Sequence, residues 1–528
     1  MIRRVLFAIA LVAGVFPVWI AAGAAPGSPA RTPHDAGLKA NFDGDGFADA
    51  AVGAPFEKVG SDAEAGQVVA VYGASGGADL DTAQILNEDS SGLDDTSDPG
   101  DEFGSALATG DFDHDGFTDL AVGAPGDGGD IGKVFIVNGS SQGLNSHLSL
   151  RFVNGQGGVP AGGDSNDRWG QALAAGDFDG DGFADLAASA RVAGGASNAG
   201  EVVVLYGSVD GLETVGADRF DQNSTGIPGT RTAGNGWGSS LAAGDLNGDG
   251  RAELVVGATG ETVGGEVGAG SVTVLFGTAG GLSGAGAKRF TLNSPGFAGD
   301  PEQGGAFGAG LALGNFGKGA RKDLAIGEPG RDVGTHNSAG ALWVLYGGPG
   351  GIGDGGIQKI TEDSPNVMGT SANFNAFGVS LAAANYGHSS LTDLAVGSPL
   401  HKAGGVPGAG AVIVLYGSTK GLTGTNSQIW SPASAGLHGS DNPESFGRSV
   451  AAGNLGHDSR ADLLIGAPDT EVPVSGSDVA KAGAAYVVYG TANGLASAGA
   501  QRFTEQTPQI AAGAVFNEQF GRTVAVGR

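Results

Sequence analysis

The ten residues Asp111–Leu120 read DFDHDGFTDL, with aspartates at loop positions 1, 3, 5 and 9 and glycine at position 6. Two unit charges about 4 Å apart still repel by about 4 kcal/mol at an effective dielectric near 20, so a loop that gathers four carboxylates is expected to enclose positive charge. Oxygen ligands at positions 1, 3, 5 and 9, with a backbone carbonyl at 7, suit a hard cation, and calcium tolerates the irregular geometry best. The competing reading is a solvated acidic turn, since Asp and Gly are ordinary turn residues.

Repetition favours the cation, because a fixed spacing recurring along a chain marks a structural unit. The loop returns as NFDGDGFADA from Asn41, DFDGDGFADL from Asp177 and DLNGDGRAEL from Asp245, then in eroded form as NFGKGARKDL from Asn315, NYGHSSLTDL from Asn385 and NLGHDSRADL from Asn454. The seven starts lie 70, 66, 68, 70, 70 and 69 residues apart. Four loops carry full ligand sets, and we expect about four calcium sites. Their side chains are Asn41, Asp43, Asp45 and Asp49; Asp111, Asp113, Asp115 and Asp119; Asp177, Asp179, Asp181 and Asp185; and Asp245, Asn247, Asp249 and Glu253. The backbone carbonyls come from Phe47, Phe117, Phe183 and Arg251. The fifth and sixth loops have Gly317 and Gly319, and Gly387 and Ser389, at positions 3 and 5, so no calcium is expected there. The fifth has Lys318, Arg321 and Lys322 instead, read as a solvated basic turn, and the seventh, with Gly456 and Ser459, supports weak binding at most. An EF-hand would need a glutamate at position 12, where these loops have Val52, Val122, Ala188 and Val256.

Each repeat must also supply the strands that hold its loop. The third repeat shows four runs, Trp169–Gly176, Asp185–Ala190, Glu201–Gly207 and Ala217–Asn223, each short and bounded by glycine or turn residues. The third run is apolar on successive residues, as in Val202–Tyr206 and Ala411–Tyr416, so both of its faces must be covered. Four-stranded sheets stacked around an axis provide that cover, which predicts an all-β, seven-bladed propeller with no helix of length. An aromatic followed by glycine opens each repeat at Phe103, Trp169, Trp237, Phe307, Phe377, Phe446 and Phe520. The last copy has no loop after it and the first loop has no such strand before it. The C-terminal strand therefore completes the N-terminal blade and closes the ring.

These residues resemble the FG-GAP repeats of the integrin α-subunit N-terminal domain. FG stands at Phe103-Gly104, GAP at Gly53, Gly123 and Gly466, with GEP at Gly327 and GSP at Gly397. The resemblance implies a seven-bladed propeller, calcium in loops between adjacent strands of some blades, and a loop face that binds extracellular partners. The steady spacing leaves no room for an inserted ligand-binding domain, and no leg domains or membrane helix follow the repeats.

Composition sets further bounds. A formal charge of −29 argues against nucleic acid or an anionic membrane surface as partner. Residues 1–24, with Arg3 and Arg4, an apolar run and Ala22-Gly23-Ala24, have the layout of a signal peptide, 25–37 read as a linker, and 38–528 hold the propeller. A retained membrane anchor is the weaker reading, because the apolar run is shorter than a typical span. With no cysteine, a disulfide framework is excluded, and packing and metal must stabilise the fold.

Nothing assembles a catalytic constellation. GASGG at Gly73–Gly77 matches G-x-S-x-G but occupies a turn between strands, without the strand-to-helix context of a nucleophile elbow. His114, His388 and His457 share loop position 4, pointing outward. Trp169, Trp237, Trp343 and Trp430 each have a packing role, leaving no evident sugar platform. The acidic stretch Asn87–Glu102 is expected to be a solvated loop, the alternative being an extra cation or a basic partner. The expected protein is thus a secreted, monomeric, non-enzymatic binding or adhesion module for an unidentified extracellular protein or glycan. The alternatives are an extracellular hydrolase, since similar propellers occur attached to a phospholipase D, and a purely structural surface protein.

Overall fold

The strand-forming runs assemble as short antiparallel sheets whose central strands are inaccessible on both faces: every residue of Asp185–Ala190, Asp323–Glu328, Asp393–Ser398 and Asp462–Ala467 is buried. A computed structural model describes residues 41–160, 162–192, 196–439, 442–474, 477–508, 510 and 516–526; the signal and linker segments proposed from sequence lie outside these residues. Seven four-stranded sheets form seven blades. Blade 2, for example, comprises Ala106–Gly110, Asp119–Ala124, Lys133–Asn138 and Asn145–Val153 in sequence order across the sheet. The first strands of neighbouring blades touch one another around the whole ring, so they line the central axis.

Blade 1 closes the ring as expected. Thr523–Val526 pairs antiparallel with Ala50–Ala54, matching Gly53 with Thr523 and Ala50 with Val526, and so supplies its innermost strand. Closure leaves no first or last blade with an open face.

The core is divided into seven apolar slabs, each joining two adjacent blades. At the centre of these slabs lie the aromatics of the FG dipeptides, Phe103, Trp169, Trp237, Phe307, Phe377, Phe446 and Phe520, none more than 1% exposed. The glycines of the two motifs meet across the blade interface. A Cβ on Gly123 would come within 2.1 Å of the Gly170 carbonyl, and Gly170 itself has φ +92, so the paired glycines are the condition for blades to approach.

The strand bounds read from the sequence need adjustment. The fourth strand of blade 3 spans Glu213–Phe220, starting earlier than 217, because a register shift between Val204 and Tyr206 pairs Tyr206 with Glu213 and lengthens the hairpin. No helix of length forms among the described residues, as expected; Asp127–Asp130 is a single turn in which Gly128, Gly129 and Asp130 have positive φ.

Candidate functional site

Each hairpin loop lies between the first and second strands of its blade and is shaped by its own side chains. In the second loop, Asp111 accepts the N–H groups of Asp115 and Gly116 at 3.1 Å each, Asp113 accepts that of Asp115 at 3.1 Å, and Asp115 accepts that of Phe117 at 2.9 Å. The third loop repeats this, with Asp177 accepting from Gly180 and Gly182, Asp179 from Asp181, and Asp181 from Phe183. Position 4 is left-handed throughout, as glycine in Gly44 and Gly180 and as His114, Lys318, His388 and His457 elsewhere. The three histidines are exposed, with rings edge-on to Phe183, Tyr416 and Tyr489.

Position 9 does something the spacing alone did not reveal. Asp119 accepts the Phe112 N–H through Oδ2 and the Gly139 N–H, just past the third strand, through Oδ1, both at 2.9 Å. Asp49, Asp185, Asp323, Asp393 and Asp462 make the same pair of bonds, so intact and eroded loops share it. Burial pushes the carboxyls of Asp49, Asp119 and Asp185 up to about 8, with the two N–H bonds opposing it and neighbouring acidic groups adding to it. Asp323 rises to about 6 and Asp393 and Asp462 to about 7, again through burial. Glu253 keeps the first bond, to the Leu246 N–H at 2.7 Å, and turns its other oxygen to the Asn247 side-chain amide at 2.8 Å.

The loops are also joined to one another. The carbonyl at position 1 of one loop accepts the N–H at position 8 of the next, from Asn41 to Thr118, Asp111 to Ala184, Asp177 to Ala252, Asn315 to Thr392 and Asn385 to Ala461. The last, Asn454, accepts from Ala48 of the first loop, so this belt links six of the seven pairs of neighbouring loops.

The ligand sets differ in how well they converge. Carboxylate oxygens of Asp111, Asp113 and Asp115, and of Asp177, Asp179 and Asp185, lie within 4.8 Å of one another. Among the described residues no such triad forms in the first loop, where Asn41 takes a ligand position, or in the fourth. There the Asn247 amide nitrogen faces Asp249 at 3.2 Å and Glu253, so its ligating oxygen is turned away. The position-7 residues Phe47, Phe117, Phe183 and Arg251 occupy the same turns, and Arg251 also donates to the Asp179 carbonyl of the preceding loop at 3.1 Å. In the fifth loop Lys318 stands over the Tyr346 ring, 3.9 Å from its centroid, rather than in solvent alone. In the seventh, Asp458 is paired with Arg460 at 2.9 Å.

Other sequence readings fare unequally. Ser75 of GASGG is exposed in a turn between Gln67–Tyr72 and Asp79–Leu86. Trp169, Trp237, Trp343 and Trp430 are all buried. The acidic stretch Asn87–Glu102 is not the solvated loop expected: Glu88 and Asp101 are buried, and Asp95 is held by Lys133 at 2.6 Å and Arg151 at 2.8 Å. Its partners come from the next blade, distant in sequence, so local composition could not show them.

Comparison with known proteins agrees with this geometry. The FG-GAP repeat model matches residues 35–71, 103–137, 169–205, 237–275 and 446–488, stretches that leave out the fifth and sixth loops. Phosphatidylinositol-glycan-specific phospholipase D of Rattus norvegicus is 37% identical over 175 residues, 32% of this chain and 20% of the relative. Integrin alpha-PS5 of Drosophila melanogaster is 38% identical over 171 residues, 31% of this chain and 15% of the relative, and integrin alpha-7 of Mus musculus is 43% identical over 109 residues, 20% and 8%. The chain thus covers a fifth or less of the length of these relatives. No helix among the described residues is long and apolar enough to cross a membrane. Seven blades, the paired FG and GAP glycines and the repeated acidic hairpins make this chain an FG-GAP repeat protein that resembles the integrin α-subunit propeller.

Proposed function

We propose that the chain is a secreted, calcium-binding propeller that serves as an extracellular binding or adhesion module. The observation that carries this reading is the convergence of three carboxylates in each of two neighbouring hairpins of the loop belt. Their all-oxygen donor sets fit a hard cation and not a thiolate-seeking one. A bound ion would neutralise the clustered charge and cross-link the hairpin, stiffening the belt on which a partner docks. Asn41, Asp43, Asp45 and Asp49 with the Phe47 carbonyl, and Asp245, Asn247, Asp249 and Glu253 with that of Arg251, would form sites of lower affinity, the latter after the Asn247 amide turns over. The partner is an extracellular protein or glycan bound at loop surfaces, the usual seat of function on rigid scaffolds.

A hydrolase reading draws on the similarity to phosphatidylinositol-glycan-specific phospholipase D over about a third of the chain. Against it, the serine of the G-x-S-x-G match sits in an exposed turn between two strands and not at the strand-to-helix turn of a nucleophile elbow. Calcium titration calorimetry on the purified chain, with position-3 variants Asp43→Ala, Asp113→Ala, Asp179→Ala and Asn247→Ala, is expected to lose one ion per variant. Ion counts unaffected by all four would defeat the loop assignment, and turnover of phosphatidylinositol-glycan or ester substrates would favour the hydrolase.

A further inference from the structure

Adjacent blades meet at a second set of equivalent positions away from the hairpins: two residues past the fourth strand, two before the FG dipeptide, and eight after loop position 9. At three of these seams the acids in these places meet a donor or a cation. Between blades 3 and 4, Glu261 accepts from Gln222 at 3.0 Å and Arg289 at 2.6 Å, and from Ser271. Between blades 5 and 6, Glu362 accepts from Asn375 at 2.5 Å and Ser398 at 2.9 Å, with His401 at 3.3 Å. Between blades 1 and 2 the set is Glu88, Asp101 and Asp127; both Glu88 oxygens are without a hydrogen-bond partner, and the cation of the set is the Lys133 ammonium, 2.7 Å from Asp127.

The seam between blades 7 and 1 breaks this pattern. Glu57, Glu505 and Glu518 are 2%, 1% and 0% exposed, and their carboxylate oxygens lie within 4.8 Å of one another. Glu57 Oε2 and Glu505 Oε2 are buried without a hydrogen-bond partner. Gln67, which takes the strand position of Lys133, reaches Glu505 only at 3.5 Å and brings no charge. Among the described residues no Lys, Arg or His pairs with Glu57 or Glu505. Buried charges need a partner or a metal, and a buried carboxylate oxygen left unpaired is costly.

We propose that Glu57, Glu505 and Glu518 hold a divalent cation of the calcium class at the seam where the last blade meets the first. The donor set is oxygen alone, as a hard cation requires. The ion joins a turn after the second strand of blade 1, the end of blade 7, and the segment that delivers the closing strand, so it ties the two ends of the chain into one ring. This site does not rest on the hairpin assignment, since it is read from the difference between variants with all hairpins intact.

The test is calcium binding to the full chain at neutral pH, by titration calorimetry and elemental analysis, for the wild type, Glu57→Gln/Glu505→Gln and Gln67→Lys. The lysine variant copies the arrangement of Lys133 and keeps the acids, so it remains informative if the double variant does not fold. Each folded variant is expected to bind one ion fewer than the wild type, and Gln67→Lys to melt with a smaller chelator-induced drop. An unchanged ion count in folded Gln67→Lys, or in the folded double variant, would overturn the proposal and leave a triad that shares protons instead.

Discussion

The third and sixth hairpins differ at positions 1, 3, 5 and 6 and keep the same anchors, although the backbone between those anchors differs: positive φ falls at Gly180 and Gly182 in the third and at Gly387 and His388 in the sixth. Asp185 and Asp393 make the same two backbone bonds, His388 takes the left-handed position held by Gly180, and both loops join the belt. Position 9 and the belt therefore anchor the loop, while positions 1, 3 and 5 carry a ligand set whose loss leaves those anchors in place and alters the backbone between them. Erosion that spared Asp323, Asp393 and Asp462 but removed their neighbours fits a residue whose first duty is structural.

The largest expected effect tests that shared duty. Asp185→Ala and Asp393→Ala each leave two buried N–H groups unsatisfied, at about 1–3 kcal/mol per group, so both should lose roughly 2–6 kcal/mol in urea unfolding. A silent Asp393→Ala would break the comparison. The second separates the loops: Asp179→Ala should remove one calcium and the stabilisation that goes with it, about 2.7 kcal/mol when calcium is at 100 times its Kd, whereas Ser389→Ala should alter neither. Melts in calcium and in chelator read this out.

A third effect is pH-dependent and has a defined sign. Carboxyls raised by burial bind protons in the folded state that the unfolded chain has released, so their contribution is fully present below about 4 and is lost as pH rises through the folded value. In chelator, stability should fall between pH 4 and about 8 through Asp49, Asp119 and Asp185, and between 4 and about 6 to 7 through Asp323, Asp393 and Asp462. Calcium should flatten the first component and spare the second, and urea unfolding across this range with and without calcium checks it. The smallest effect concerns Lys318 over Tyr346: Lys318→Ala should cost about 0.5–1 kcal/mol in urea unfolding and leave the calcium count unchanged.

Much of this was legible in the sequence because the repeat imposes local spacing. The FG dipeptides, the hairpins and the displaced closing strand follow from counting, and the structure places them as counted. Features that depend on neighbouring blades were not legible. The belt uses backbone groups common to every residue type. Asp95 finds Lys133 and Arg151, and Glu57 finds Glu505 and Glu518, only once the ring closes. The early start of Glu213–Phe220 follows from a register shift that composition does not encode. Position 9 could have been recognised, since the eroded copies keep it when its fellow acids are gone.

The most direct test of the separation between loop anchors and ligand set is long-wavelength anomalous diffraction from crystals grown in calcium, which locates each ion. Peaks are predicted within the hairpins beginning at Asn41, Asp111, Asp177 and Asp245, and none within those beginning at Asn315 and Asn385. A peak in either of these last two, or no peak among Asp111, Asp113 and Asp115 and among Asp177, Asp179 and Asp185, would contradict the account.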